Sequence, residues 1–158
     1  MKQDKPRLDK RHGALLARVI LAGIGLIFFC SAEGWGADWQ LVCVRDGFSK
    51  FYDSESVTNL SEKAVRIWVE TAYTEKGILD IVAKYGGVYK GLSYALTLYE
   101  TDCENRTIRY LVDNYYSKER EVLKTFRDGP LHYIAPESVA EELYKIVCKG
   151  ELKTKGNP

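Results

Sequence analysis

Ten residues, Ala64–Tyr73, alternate without a break: Val65, Ile67, Val69 and Thr71 fall on one side, and Arg66, Trp68, Glu70 and Ala72 on the other. A period of two is the spacing of a β-strand, and no single stripe along a helix reproduces it. A strand with one apolar side is stable only when it pairs and buries that side, so this chain folds around a sheet. The flanking sequence supplies the partners. Trp39–Arg45 is rich in β-branched and aromatic residues, Asp46-Gly47 is a turn dipeptide, and Phe48–Tyr52 pairs back. Asp53-Ser54-Glu55-Ser56 is turn chemistry. Further on, Leu92–Thr101 sets Leu92, Tyr94, Leu96 and Leu98 against Ser93, Ala95, Thr97 and Tyr99. Thr107–Tyr116 is the next strand, Ser117–Arg120 a polar turn, Glu121–Phe126 the return, and Asp128-Gly129-Pro130 its end.

Two segments depart from this period. Thr74–Lys84 puts Ile78, Leu79, Ile81 and Val82 on one stripe before Gly86-Gly87 halts it, and reads as a short helix or an ordered excursion. Ile134-Ala135-Pro136 is extended, because the residue before proline avoids the helical region. Ser138-Val139-Ala140-Glu141 then forms a capping box, and Val139, Leu143, Ile146 and Val147 make a core stripe on a helix that runs to Cys148 and closes at Gly150. The fold class is α+β: an antiparallel sheet of about six strands with a C-terminal helix packed on it.

The 158 residues begin with a different composition. Lys2, Lys5, Arg7, Lys10, Arg11 and Arg18 outnumber Asp4 and Asp9, and Val19–Phe29 is an unbroken apolar run followed by Cys30-Ser31-Ala32. A basic stretch, a short apolar run and a small-x-small site are the parts of a secretory signal. The run is well short of the ~20 residues that span a bilayer. Phe29 before Cys30 is too bulky for a lipidation box, so cleavage is expected after Ala32. The organisation read from the chain is a signal peptide over 1–32, a domain over 38–149 and a polar, flexible tail over 150–158.

The leader also distorts the charge balance. Of 23 basic and 22 acidic residues it holds six and two, which leaves 17 and 20 beyond it, a net charge of −3. That balance speaks against a nucleic-acid binder.

Export implies an oxidising compartment, and Cys43, Cys103 and Cys148 remain after the leader. Three pairings are open. Cys103 with Cys148 is favoured, since one follows a strand-like run and the other ends the last helix. Period two puts Cys43 on one face with Trp39 and Leu41, as a small buried hydrophobe.

Catalytic patterns are scarce. His132 is the one histidine beyond the leader, and no nucleophile motif accompanies it. Gly86–Gly91 lacks phosphate-loop spacing. The acidic pairs Asp102/Glu104 and Glu141/Glu142 read as solvated faces in a chain that is 28% charged. Eleven tyrosines are the skewed count, all beyond residue 37. Tyr115 and Tyr116 point to opposite faces of one strand, and Tyr85, Tyr89 and Tyr133 lie in or near loops. Exposed tyrosine suits protein interfaces, which makes Tyr115, Tyr116 and Tyr133 the candidate binding residues.

Several segments, in order, resemble the surface-adhesin protein E family of exported bacterial domains. They are Phe51-Tyr52-Asp53 with Ser56-Val57, Val65-Arg66-Ile67-Trp68-Val69, Asp102-Cys103-Glu104-Asn105-Arg106, Tyr115-Tyr116, and Ile134-Ala135-Pro136-Glu137-Ser138 leading to Val147-Cys148. The likeness covers residues 38–149. It implies an antiparallel sheet whose C-terminal helix is held by a Cys103–Cys148 disulfide, and a binding role at the cell surface, toward host matrix proteins in the founding members. The sequence departs from the family pattern where Leu131 and Tyr133 replace a tryptophan ahead of the Pro-x-Ser segment, in the extra Cys43, and in the lead-in to Cys30.

The resulting expectation is an exported, non-catalytic binding module acting at the cell envelope, in the periplasm or on the surface, through protein–protein contacts. A small periplasmic enzyme working with carboxylates and tyrosines is one alternative. A structural component that self-associates through its sheet edges is the other. The expected partner is a protein of the envelope or extracellular matrix. No cofactor, metal or nucleic acid is expected, the membrane is met only through the leader, and a homodimer is allowed.

Overall fold

The computed structural model describes residues 36–150. The leader read over 1–32, Cys30 and its cleavage site, and the tail beyond Gly150 lie outside the described residues. The described residues from Ala37 onward belong to one compact unit. Their strands are β1 (Trp39–Arg45), β2 (Phe48–Asp53), β3 (Thr58–Asn59), β4 (Ala64–Tyr73), β5 (Leu92–Asp102), β6 (Thr107–Ser117), β7 (Val122–Arg127) and β8 (His132–Tyr133). Helix α1 (Glu75–Tyr85) lies between β4 and β5, and α2 (Val139–Lys149) follows β8.

All pairs are antiparallel, in the order β1-β2-β4-β5-β6-β7, with β3 beside β4 and β8 beside β6. This is the expected sheet of about six strands with two short additions, and each addition resumes the line of the strand before it. Strand β2 leaves β4 at Tyr52 opposite Val69, and β3 rejoins it with Thr58 opposite Arg66. Likewise β7 leaves β6 at Arg127 opposite Val112, and β8 rejoins it with His132 opposite Ile108.

Alternation sorts the sheet into two faces. Val65, Ile67, Val69 and Thr71 of β4 are buried, as the sequence predicts. Their partners Thr101, Tyr99, Thr97 and Ala95 on β5 share that face, and both helices lie on it. Leu96 and Leu98 of β5 take the other side, opposite Glu70 and Trp68 on the face without a helix.

Helix α2 covers one end of the first face. Its Leu143, Tyr144 and Ile146 are buried among Val42, Tyr52, Ile67, Val69 and Ile108. Tyr144, absent from the predicted stripe, donates from its hydroxyl to the Cys103 carbonyl at 3.1 Å. Cys103 and Cys148 form a disulfide with Cα atoms 5.5 Å apart. Ser138 caps the helix by accepting from the Glu141 amide at 3.2 Å, while the Glu141 carboxylate reaches back to the amide of Glu137 at 2.8 Å, one residue before the cap. Gly150 ends the helix in the left-handed conformation, φ 66°.

At the other end, Thr74–Lys84 proves to be a true helix. Thr74 accepts from the Gly77 amide at 3.2 Å, and Gly86 stops the helix with φ 96°. Gly77 sits against the β1–β2 turn so closely that a Cβ there would lie 1.9 Å from the Gly47 carbonyl oxygen.

Four register shifts break the strict period, and they correct parts of the sequence reading. In β1 the register jumps between Leu41 and Cys43, so Val42 and Cys43 are both buried while Leu41 is exposed. Cys43 is therefore a buried small residue, but it does not share a face with Leu41. In β6 the pairing runs Leu98–Val112 and then Tyr99–Tyr110, which leaves Leu111 as the extra residue. Tyr110 thereby joins Asp113 and Tyr115 on the helix-covered face. Further shifts fall between Leu92 and Tyr94, opposite β6, and between Tyr115 and Tyr116, opposite β7.

Candidate binding surfaces

The tyrosines picked out from the sequence do not converge. Tyr115 is part-buried on the helix-covered face. Tyr116 lies on the opposite face, stacked on Tyr94 with ring centroids 4.9 Å apart. Tyr133 is 86% exposed on β8, beside Thr107 at the far end of β6. Tyr89, read as a loop residue, is only 6% exposed, because the short turn it occupies tucks it under α1.

Around Tyr115 the structure gathers what the sequence scatters. A cleft of about 250 Å³ is lined by Ile81 and Tyr85 of α1, by Tyr89, by Tyr110, Asp113 and Tyr115 of β6, and by Phe126 of β7. Tyr89 meets Tyr115 edge-on at 5.3 Å, Phe126 meets it edge-on at 6.0 Å, and Tyr73 stacks against it at 6.5 Å. Tyr85 extends the cluster by an edge contact with Tyr89 at 6.2 Å. Such offset and edge-to-face pairs are the favoured ring geometries. Gly129 makes room for the cleft wall: a Cβ there would lie 2.3 Å from the Tyr110 ring.

One carboxylate stands among these rings. Asp113 accepts from Thr97 Oγ1 at 2.7 Å, and the Tyr115 hydroxyl also turns to it. Among the described residues Asp113 has no ion pair. Burial first, and the Asp113 charge second, push the phenols of Tyr115 and Tyr73 well above the ordinary tyrosine range. Both stay protonated at neutral pH, suited to hydrogen bonding and packing and unsuited to acting as bases.

A second, smaller cavity of about 130 Å³ lies nearer α2, walled by Val42, Val69, Ile108 and Leu143. Lys50 enters it, donating to Thr71 Oγ1 at 2.8 Å with its ammonium 5.7 Å from the centre of the Tyr99 ring.

The face without helices carries rows of apolar side chains. Across it run Trp68, Leu98 and Val112 in one cross-strand row, and Phe51, Glu70 and Leu96 in the next. Arg66, Glu100 and Arg109 border them with a charged row. Burial would raise the Glu100 carboxyl, but hydrogen bonds from Arg109 and Arg66 outweigh it and hold it below the ordinary range. Glu70 has burial alone acting on it, and its carboxyl is raised.

The paired acids that resemble acid–base candidates are absorbed by the fold. Asp102 caps the β5–β6 turn through the amides of Asn105 and Glu104, which hold its carboxyl low. Glu104 pairs with Lys63, Glu141 with Arg106, and Glu142 with Arg45. His132 is exposed on β8. Among the described residues no group of acids, histidines and cysteines has metal-site geometry, and no helix is long and apolar enough to cross a membrane.

Sequence reasoning missed Asp113, Tyr110 and Phe126. The Asp113-x-Tyr115 spacing was visible as a shared strand face, but the bulge at Leu111 that brings Tyr110 round leaves no mark in the residue pattern.

No curated protein and no solved structure matches the chain. The sequence model of one protein family, described as Surface-adhesin protein E, matches residues 39–149, from the first residue of β1 to the last of α2. With that match spanning most of its length, the chain belongs to the surface-adhesin protein E family.

Proposed function

We propose that this protein is an exported, non-catalytic binding module that acts at the cell envelope through protein–protein contacts. Membership of the surface-adhesin family carries the reading, since a surface-adhesin role is one of holding a partner. Two features support it. The apolar rows on the open sheet face, around Trp68, Leu98 and Phe51, are bordered by paired charges, the layout of a protein interface with a polar rim. The tyrosines of highest phenol pKa are engaged in packing, not poised for proton transfer. Residues 1–32 act as the export signal and are removed, and the ligand is a protein of the envelope or the extracellular matrix.

The test is capture by the exported protein, with its disulfide intact, of purified matrix proteins and of solubilised envelope proteins. A saturable protein ligand is expected, and Trp68→Glu should weaken its binding about tenfold or more while the thermal midpoint stays close to the parent's. Turnover of a small substrate by the same preparation, with no protein ligand found, overturns the reading.

A further inference from the structure

We propose that the cleft around Asp113 binds an organic cation, an alkylated ammonium group seated between the aromatic rings with the carboxylate behind it. The proposal concerns a ligand class for one cleft and stands whether or not the open sheet face binds protein.

Three observations carry it. First, the rings of Tyr89, Tyr110, Tyr115 and Phe126 wall a single space, and aromatic rings attract cations through their quadrupole. Second, Asp113 stands in that wall without an ion pair among the described residues, held in place by Thr97 and turned toward by Tyr115. A half-buried carboxylate with only neutral donors favours a cation arriving from solution. Third, the rim shows the same chemistry at work on the chain's own side chains. The Lys84 ammonium lies 5.0 Å from the centre of the Tyr85 ring, and that of Lys124 lies 5.6 Å from Phe126. Among the described residues no cation lies over Tyr89, Tyr110 or Tyr115, so no side chain of the protein supplies that contact to the inner rings.

The cleft size sets the ligand. A volume of about 250 Å³ holds a trimethylammonium group with a short tail. Protonated Tyr115 and Tyr73 keep the site's charge to the single carboxylate at neutral pH, matching one positive charge. Such a group comes either from a free small molecule or from a lysine side chain of a protein partner.

The experiment uses protein purified after export from the full-length gene. Choline and tetramethylammonium are titrated while tyrosine ring resonances or fluorescence are followed, with 3,3-dimethylbutan-1-ol as the uncharged isostere of choline. Saturable binding is expected for the cations, with the isostere about tenfold weaker or worse. Asp113→Asn keeps the Thr97 hydrogen-bond geometry and should cost a similar factor. Tyr85→Ala, at the exposed rim, should cost severalfold with the fold intact. A second arm compares N-acetyl-trimethyllysine amide and N-acetyl-lysine amide with the norleucine analogue. Tighter binding of either lysine derivative than of choline assigns the cleft to a protein side chain, and the reverse assigns it to a free small molecule. Equal binding of choline and its isostere, an unchanged affinity in Asp113→Asn, or no saturation by any of these cations overturns the proposal.

Discussion

At the scale of single residues, two carboxylates on the open face respond to pH in opposite directions. Glu100 lies between Arg66 and Arg109, and its folded-state pKa is below the ordinary value. Its contribution to stability is present above the unfolded-state pKa and is lost as pH falls through the folded one. Glu70 stands in the row of Phe51 and Leu96 with burial alone raising its carboxyl, so the sign reverses. Stability is greater below the unfolded-state pKa, and that advantage is lost as pH rises through the folded one. Glu70→Gln should therefore raise the thermal midpoint at neutral pH and flatten the wild-type gain on mild acidification. Glu100→Gln should destabilise the fold at neutral pH by about 1 kcal/mol and lower its thermal midpoint, since both arginines of the pairs are largely solvated. Thermal melts across the acid range check both signs, and a neutral-pH loss in Glu70→Gln contradicts the first.

At the scale of elements, α2 illustrates how a helix is held at both ends. Ser138 and Glu141 fix its start, and the Cys103–Cys148 bond fixes its last turn to the β5–β6 hairpin. A cross-link between residues 45 apart in sequence restricts the unfolded chain strongly. Replacing both cysteines by serine should cost about 2–5 kcal/mol, seen as a lower midpoint in denaturant, and an unchanged midpoint would show that the bond adds nothing. Much of this element was legible beforehand. The capping box, the stripe through Leu143 and Ile146, and the stop at Gly150 all have short-range causes that the sequence displays. Helix α1 was half legible, because its stripe is short and its packing rests on Gly77 meeting Gly47, a contact across 30 residues. The aromatic cleft was the least legible. Tyr89 falls in a glycine-rich segment that reads as a loop, and the bulges that sort Tyr110, Asp113 and Cys43 onto faces depend on cross-strand pairing rather than on local composition.

At the scale of the whole molecule, the sheet has two edges, and both are blunted. Strand β1 carries a bulge at Val42 and ends in Arg45, and the opposite edge is broken into β7 and β8 around Gly129-Pro130 and carries Lys124 and Arg127. Irregular, charged edges disfavour strand-to-strand addition of further copies. Sedimentation should show a single monomeric species across a wide concentration range. A concentration-dependent dimer would locate the contact on the open face, and Trp68→Glu would then abolish it. Self-association that persists in Trp68→Glu would restore the sheet edges as the contact.

The order in which the strands neighbour one another also bears on time. Strands β4, β5, β6 and β7 follow each other both in the chain and in the sheet; the β5–β6 and β6–β7 hairpins close over short turns, and only β4 and β5 are joined through a longer segment, the one that carries α1. Helix α2 is the exception. Its Glu142 meets Arg45, 97 residues earlier, and its buried face needs β1, β2 and β4 already in place. Its docking closes a long loop, the kind of step that slows assembly, and it is what covers the apolar residues around Ile67 and Val69.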